Sequence, residues 1–179
     1  MTFFPNREPS QIPEPDESDD KEVFAFFGLC SYWIQILEQG LVNLYVSLKI
    51  RNLTHLTHEE IDALFDRARG KTLGRLISDV RVHIDVPTGL EAALANALKD
   101  RNFVTHHFFI IHDIDIISKR RRVKMIDELR QIVGRLQTVD NELELITHPL
   151  WERIGLTADM FQAELAEMEA EARKLDESS

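Results

Sequence analysis

Leu98-Lys-Asp-Arg-Asn-Phe-Val-Thr-His-His-Phe-Phe109 lies in an apolar row made by Leu90, Leu94, Ala97, Val104, Phe108 and Ile111. Steps of three and four place those side chains on one face of an α-helix, the face that packs against a neighbour. Thr88 and Glu91 have capping-box spacing, so the helix is predicted to open there and to run to about Ile117. Arg101 interrupts the apolar row between Ala97 and Val104. A guanidinium set among carbon needs a partner or water. Asn102 and His106 stand one turn apart on the adjoining face.

Toward the N-terminus, Phe27, Cys30, Ile34, Leu37, Leu41, Leu44 and Leu48 alternate steps of three and four. Phe24, Phe26, Trp33 and Tyr45 widen that stripe, so 21–52 reads as a central core helix, with a dimerisation face as the second reading. Thr57 and Glu60 form a capping box for a helix over 58–69, and Gly70 sits where a left-handed cap belongs. Gly70-Lys71-Thr72 lacks the earlier glycine of a phosphate loop, because Phe65 occupies that place. A third helix is expected over 72–84, ahead of Pro87.

Toward the C-terminus, Lys119-Arg-Arg-Arg-Val-Lys124 puts five positive charges in six residues. Val123, Ile126, Leu129, Val133, Leu136 and Leu143 then mark a helix that Pro149 is expected to close. Gly155 and Thr157 punctuate a last helix with Phe161, Leu165, Met168, Ala172 and Leu175 as its stripe and glutamates opposite. These patterns give an all-α fold class, a helical bundle of four to five principal helices with an appended C-terminal helix. The expected division is a disordered acidic, proline-rich tail over 1–20, a bundle over 21–148, and the C-terminal helix with its acidic end over 149–179.

The net charge of -10 is concentrated at the two ends. Residues 1–20 carry one basic and six acidic side chains, and residues 159–179 carry two and seven, leaving a neutral body. A neutral body leaves nucleic acid open as a partner. The one cysteine, Cys30, lies in the apolar stripe and fits a reducing compartment as an inert core residue. No apolar run approaches the roughly 20 residues that span a bilayer, and no secretion signal opens the chain. The expectation is a cytoplasmic protein without membrane contact. No cofactor is expected. No metal is expected either, since the cysteine count excludes a thiolate site and His106, His107, His112, Asp113 and Asp115 lack paired ligand spacing. His112 and Asp115 alone stand three apart.

Arg101, Asn102 and His106 therefore form the candidate catalytic set, with Arg-x4-His spacing. His107 offers a five-residue variant, and Arg51 with His58 a further pair that flanks a turn. On an ideal helix five residues advance about 500°, so Arg101 and His106 would point about 140° apart. Convergence then needs the reach of arginine, a local bend or a second subunit. In this motif and its helical setting over roughly 21–145, the chain resembles the HEPN superfamily of small helical bundles. That resemblance implies a metal-independent ribonuclease of a toxin–antitoxin or phage-defence setting, a homodimer whose sites meet across the interface, and an antitoxin-like protein partner. His106 would move the proton of a ribose 2′-hydroxyl or of a leaving oxygen, Arg101 would clamp phosphate, and Asn102 would orient the imidazole or hydrogen-bond the substrate. Lys119, Arg120, Arg121, Arg122 and Lys124 would hold the RNA backbone. Other readings stand beside these. Arg101 pairs with a carboxylate, the histidines pack beside Phe108 and Phe109, the basic run is a solvated helix start, and the chain is a non-catalytic interaction and dimerisation module.

Overall fold

In the computed structural model, described over residues 11–16, 19–51, 53, 56–84, 86–177, two long helices run alongside each other and the rest is built on them. They are α1 (Asp20–Ile50) and α6 (Lys119–Arg153); between them come α2 (His58–Arg69), α3 (Leu73–Arg81), α4 (Thr88–His106) and the single turn α5 (Phe108–Ile111). A 3₁₀ turn over Asp115–Ile117 precedes α6, and α7 (Ala158–Glu177) comes after it. The fold is the all-helical bundle expected, and no strand is present among the described residues. None of the described helices is long and apolar enough to cross a membrane.

The stripe on α1 is buried as its spacing demands. Cys30, Ile34, Leu37, Leu41, Leu44 and Leu48 face Ile126, Leu129, Val133, Leu136 and Leu143 of α6 within one core. Phe26 and Trp33 join them, whereas Phe27 is only partly buried and Val123 is exposed. α2 and α3 cover α1 from one side, and α4 packs against both long helices. The long helices come close at Gly40, where a methyl group would stand 3.1 Å from Asp140 Oδ1. Around that point polar side chains join the buried carbon. Asn43, Ser47, Gln137, Asp140 and Thr147 are buried there, with Gln39 Nε2 donating to Asn43 Oδ1 at 2.8 Å.

Local signals prevail where nothing distant competes with them. Thr57 Oγ1 accepts from Glu60 N at 3.2 Å and Glu60 Oε2 accepts from Thr57 N at 2.9 Å, a complete capping box. Gly155 adopts φ +87, and the amides of Gly155 and Leu156 donate to the carbonyls of Glu152 and Trp151. This Schellman closure ends α6 with a residue that suffers no Cβ penalty.

Five expectations need correcting. Gly70 is right-handed, at φ -72, and Thr72 caps α3 two residues later. Thr88 is the first helical residue rather than a cap; Pro87 precedes it and Glu91 pairs with Arg81 at 3.2 Å instead. Pro149 sits inside α6, which continues to Arg153. A proline there costs about 3 kcal/mol, while burying Leu150 and Trp151 in the next turn returns about 1.5–3 kcal/mol for each large apolar side chain. Residues 11–16 are irregular, as a segment without periodicity should be, yet Ile12 packs on the core and Glu14 pairs with Arg130 of α6. Residues 1–10 lie outside the described part. The fifth correction is the end of α4.

Candidate functional site

α4 stops at His106, eleven residues short of the predicted end. His107 leaves helical geometry at φ -127, ψ -23, and the chain re-enters for one turn at Phe108. The next ten residues explain the break. Ile110, Ile111, Ile114, Ile116 and Ile117 are β-branched and lose rotamer freedom in a helix, with Asp113 and Asp115 between them. Breaking the helix lets Phe108 become fully buried against Phe27, Phe103 and His112, while Ile111, expected on the same face, turns outward.

Arg101 approaches the end of α4 from within the helix. Its Nη1 reaches His106 Nε2 at 3.4 Å and Asn102 Oδ1 at 3.3 Å. Both contacts are long for hydrogen bonds, so they orient more than they hold. A guanidinium only donates, and in this contact Nε2 accepts. The sequence-predicted set is thus brought together, by arginine's reach onto the last residue of the helix. His107 stands apart from this contact, its ring 6.2 Å from that of His106. Arg51 donates to the His83 carbonyl at 3.3 Å instead of meeting His58.

The alternative reading, Arg101 paired with a carboxylate, is met by Glu38, a residue that the sequence did not single out. Its Oε1 lies 3.5 Å from Arg101 Nε, close enough for an ion pair, yet Nε is buried and makes no hydrogen bond. Charge balance is met there and donor satisfaction is not. Glu38 belongs to α1, sixty-three positions from Arg101, and no local pattern marks it. The neighbouring Asp100 does not serve Arg101. It takes a bidentate pair with Arg135 of α6 at 2.8 and 2.9 Å, which raises the arginine's pKa further. Burial, with the charge of Asp100 second, pushes the Cys30 thiol up to about 12, and its Sγ donates to the Leu129 carbonyl at 3.2 Å. Cys30 is buried core, as its place in the stripe indicated.

A second imidazole makes more contacts than its spacing announces. His112 holds Asp115 Oδ2 through Nδ1 at 2.9 Å and Glu128 Oε2 through Nε2 at 2.8 Å, its ring packed on Phe108. This grip ties the corner between α5 and the 3₁₀ turn to α6. Arg121 completes it at 2.7 Å from Asp115 Oδ1, and His112 first, then Arg121, hold that carboxyl below its ordinary range. Arg122 Nη1 donates to the Ile116 carbonyl at 2.8 Å. Two members of the expected RNA-holding run therefore brace the corner, whereas Lys119, Arg120 and Lys124 point to solvent. Among the described residues no group of three histidine, cysteine or acidic side chains is arranged to hold a metal ion.

No family model matches the chain, and neither a curated protein nor a solved structure matches it significantly. Lys71, the lysine of the apparent phosphate loop, is engaged within the fold. It donates to Asp79 at 2.6 Å and lies over the Tyr45 ring, so it is a structural link between α3 and α1.

Proposed function

We propose that Arg101, Asn102 and His106 form a phosphate-directed site that cleaves RNA without a metal ion, as the resemblance to HEPN bundles implies. The supporting observation is the approach of the guanidinium to the imidazole at 3.4 Å on an exposed helix end. A phosphate entering there replaces a weak contact. Its oxygens take the guanidinium donors, and His106 Nε2 accepts the proton of the ribose 2′-hydroxyl. The 2′-oxygen then bonds to phosphorus as the bond to the 5′-oxygen breaks. That oxygen takes up a proton from water or from a second imidazole, giving a cyclic phosphate and a free 5′-hydroxyl. Arg101 stabilises the charge on the non-bridging oxygens, and Asn102 steadies the arginine that positions them. Lys119, Arg120 and Lys124 attract the backbone through charge.

A second reading is favoured by a different observation: four isoleucines stand exposed beside this site, the mark of a protein-interaction module. Cleavage of single-stranded RNA in excess EDTA separates the two. Under the ribonuclease reading, Arg101→Ala and His106→Ala each lower the rate by about 10²–10⁴-fold, with thermal unfolding unchanged. Glu38→Gln removes the carboxylate that competes for the guanidinium and raises the rate several-fold. No cleavage by the native chain, or cleavage that the first two substitutions leave intact, overturns the nuclease reading.

A further inference from the structure

The corner between α5 and α6 exposes more carbon than a free surface should. Ile110, Ile111, Ile114 and Ile117 are 60–79% exposed, and Phe24 reaches Phe109 at 5.6 Å to extend the same surface. Exposed apolar side chains gathered within eight residues of chain are the kind of surface that marks a binding face. The start of α6 rims it with charge. Lys119 and Val123 stand one turn apart, as do Arg120 and Lys124, so an apolar residue lies within a cationic frame. All four are exposed.

The complement is on the same chain. α7 adds no buried residue to the core among its described side chains. Leu165 and Met168 lie on one side of it and are exposed, flanked along the edge by Glu164 and Glu171, with Glu167 beyond. An apolar stripe with an acidic border matches an apolar patch with a basic border in both terms, and neither is packed into the core.

The helix cannot close on its own patch. α6 has 35 residues and α7 has 20. At about 1.5 Å per residue, Lys119 lies about 50 Å from Arg153, whereas α7 spans about 30 Å. Even folded straight back along α6, it would end well short of the basic turn. A second copy removes the difficulty. With two α6 helices antiparallel about a two-fold axis, the end carrying α7 lies beside the partner's isoleucine corner, and the contact occurs twice.

We infer that the chain forms a reciprocal homodimer in which α7 of each copy docks on the Ile110–Ile117 corner and the Lys119–Lys124 turn of the other. The docked helix covers the cations named above as an RNA contact, so RNA competes with it there. The contact stands whether or not Arg101 and His106 are catalytic.

Charge reversal tests it in the full-length chain by sedimentation over a range of concentrations. One variant carries Lys119→Glu, Arg120→Glu and Lys124→Glu; the other carries Glu164→Lys, Glu167→Lys and Glu171→Lys. The native chain should be dimeric. Each variant alone should associate at least tenfold more weakly, since like charges then face each other. An equimolar mixture of the two should recover a 1:1 dimer, because each patch again meets an opposite helix. Recovery also shows that both variants fold. A native chain that stays monomeric, variants that dimerise as the native chain does, or a mixture that stays monomeric overturns the proposal. So does a monomer that binds vesicles of 3:1 phosphatidylcholine and phosphatidylserine through the isoleucines.

Discussion

The α1–α6 pair and the corner over 107–117 are held together by opposite means. Along the pair, side chains such as Leu37, Leu41, Leu129 and Leu136 are at most 1% exposed, and close packing of carbon supplies the stability. The corner buries only Phe108 fully and otherwise depends on polar grips: His112 between Asp115 and Glu128, Arg121 on Asp115, Arg122 on a carbonyl. Each kind of bonding leaves a different trace in the chain. Carbon packing repeats along a helix and leaves a period. Polar grips are individual, and they leave none.

A core substitution should expose this contrast most sharply. Leu41→Ala opens a cavity where no water reaches and should cost about 2–5 kcal/mol, read as a lower urea midpoint at unchanged slope. Measured on the monomer at low protein concentration, Ile111→Ala at the corner should stay within about 0.5 kcal/mol, as for other exposed positions. Equal losses at the two would show that the corner is packed as tightly as the pair.

His112→Ala should fall between these. It leaves Asp115 and Glu128 without their shared partner and should lower Tm by several degrees, while amide protection is lost first over 108–117 and last in α1. Acid titration probes the same grip. Asp115 titrates lower in the folded chain than in the unfolded one, through His112 and then Arg121. Its contribution is therefore complete above the ordinary carboxylate value and fades as pH falls through the lowered one. Asp115→Asn should flatten the acid side of the stability curve and leave the neutral region little changed in slope. A curve identical to that of the native chain would remove the grip from the account.

The mildest outcome is a silence. With its thiol pushed up to about 12 by burial, Cys30 should resist iodoacetamide in mildly alkaline buffer in the native state and react only as fast as the chain opens. Rapid labelling without denaturant would mean that α1 and α6 separate locally at Leu129.

Most of the helical plan was legible because it is written in local spacing. The α1 stripe, the Thr57–Glu60 box and the glycine after α6 each depend on residues within a few positions of one another. The candidate site was legible in part. Arg101, Asn102 and His106 do meet, although an ideal helix would set the first and last about 140° apart. What joins them is arginine's reach to His106, where α4 ends. That ending depends on Phe108 finding the core and on His112 finding Glu128, sixteen residues further on.

Hydrophobic period and charge count need no knowledge of a neighbour. They already contain the helical class, the central helix, the neutral body with acidic ends, and the buried cysteine. Packing had to be seen before Glu38 could be set against Arg101 or Asp100 assigned to Arg135. The same holds for the run of α6 through Pro149 and for the outward turn of the isoleucines after His107. Each of these sets a local preference against burial or pairing with a residue on another element. The outcome depends on which side chains the packed helices bring within a few ångströms.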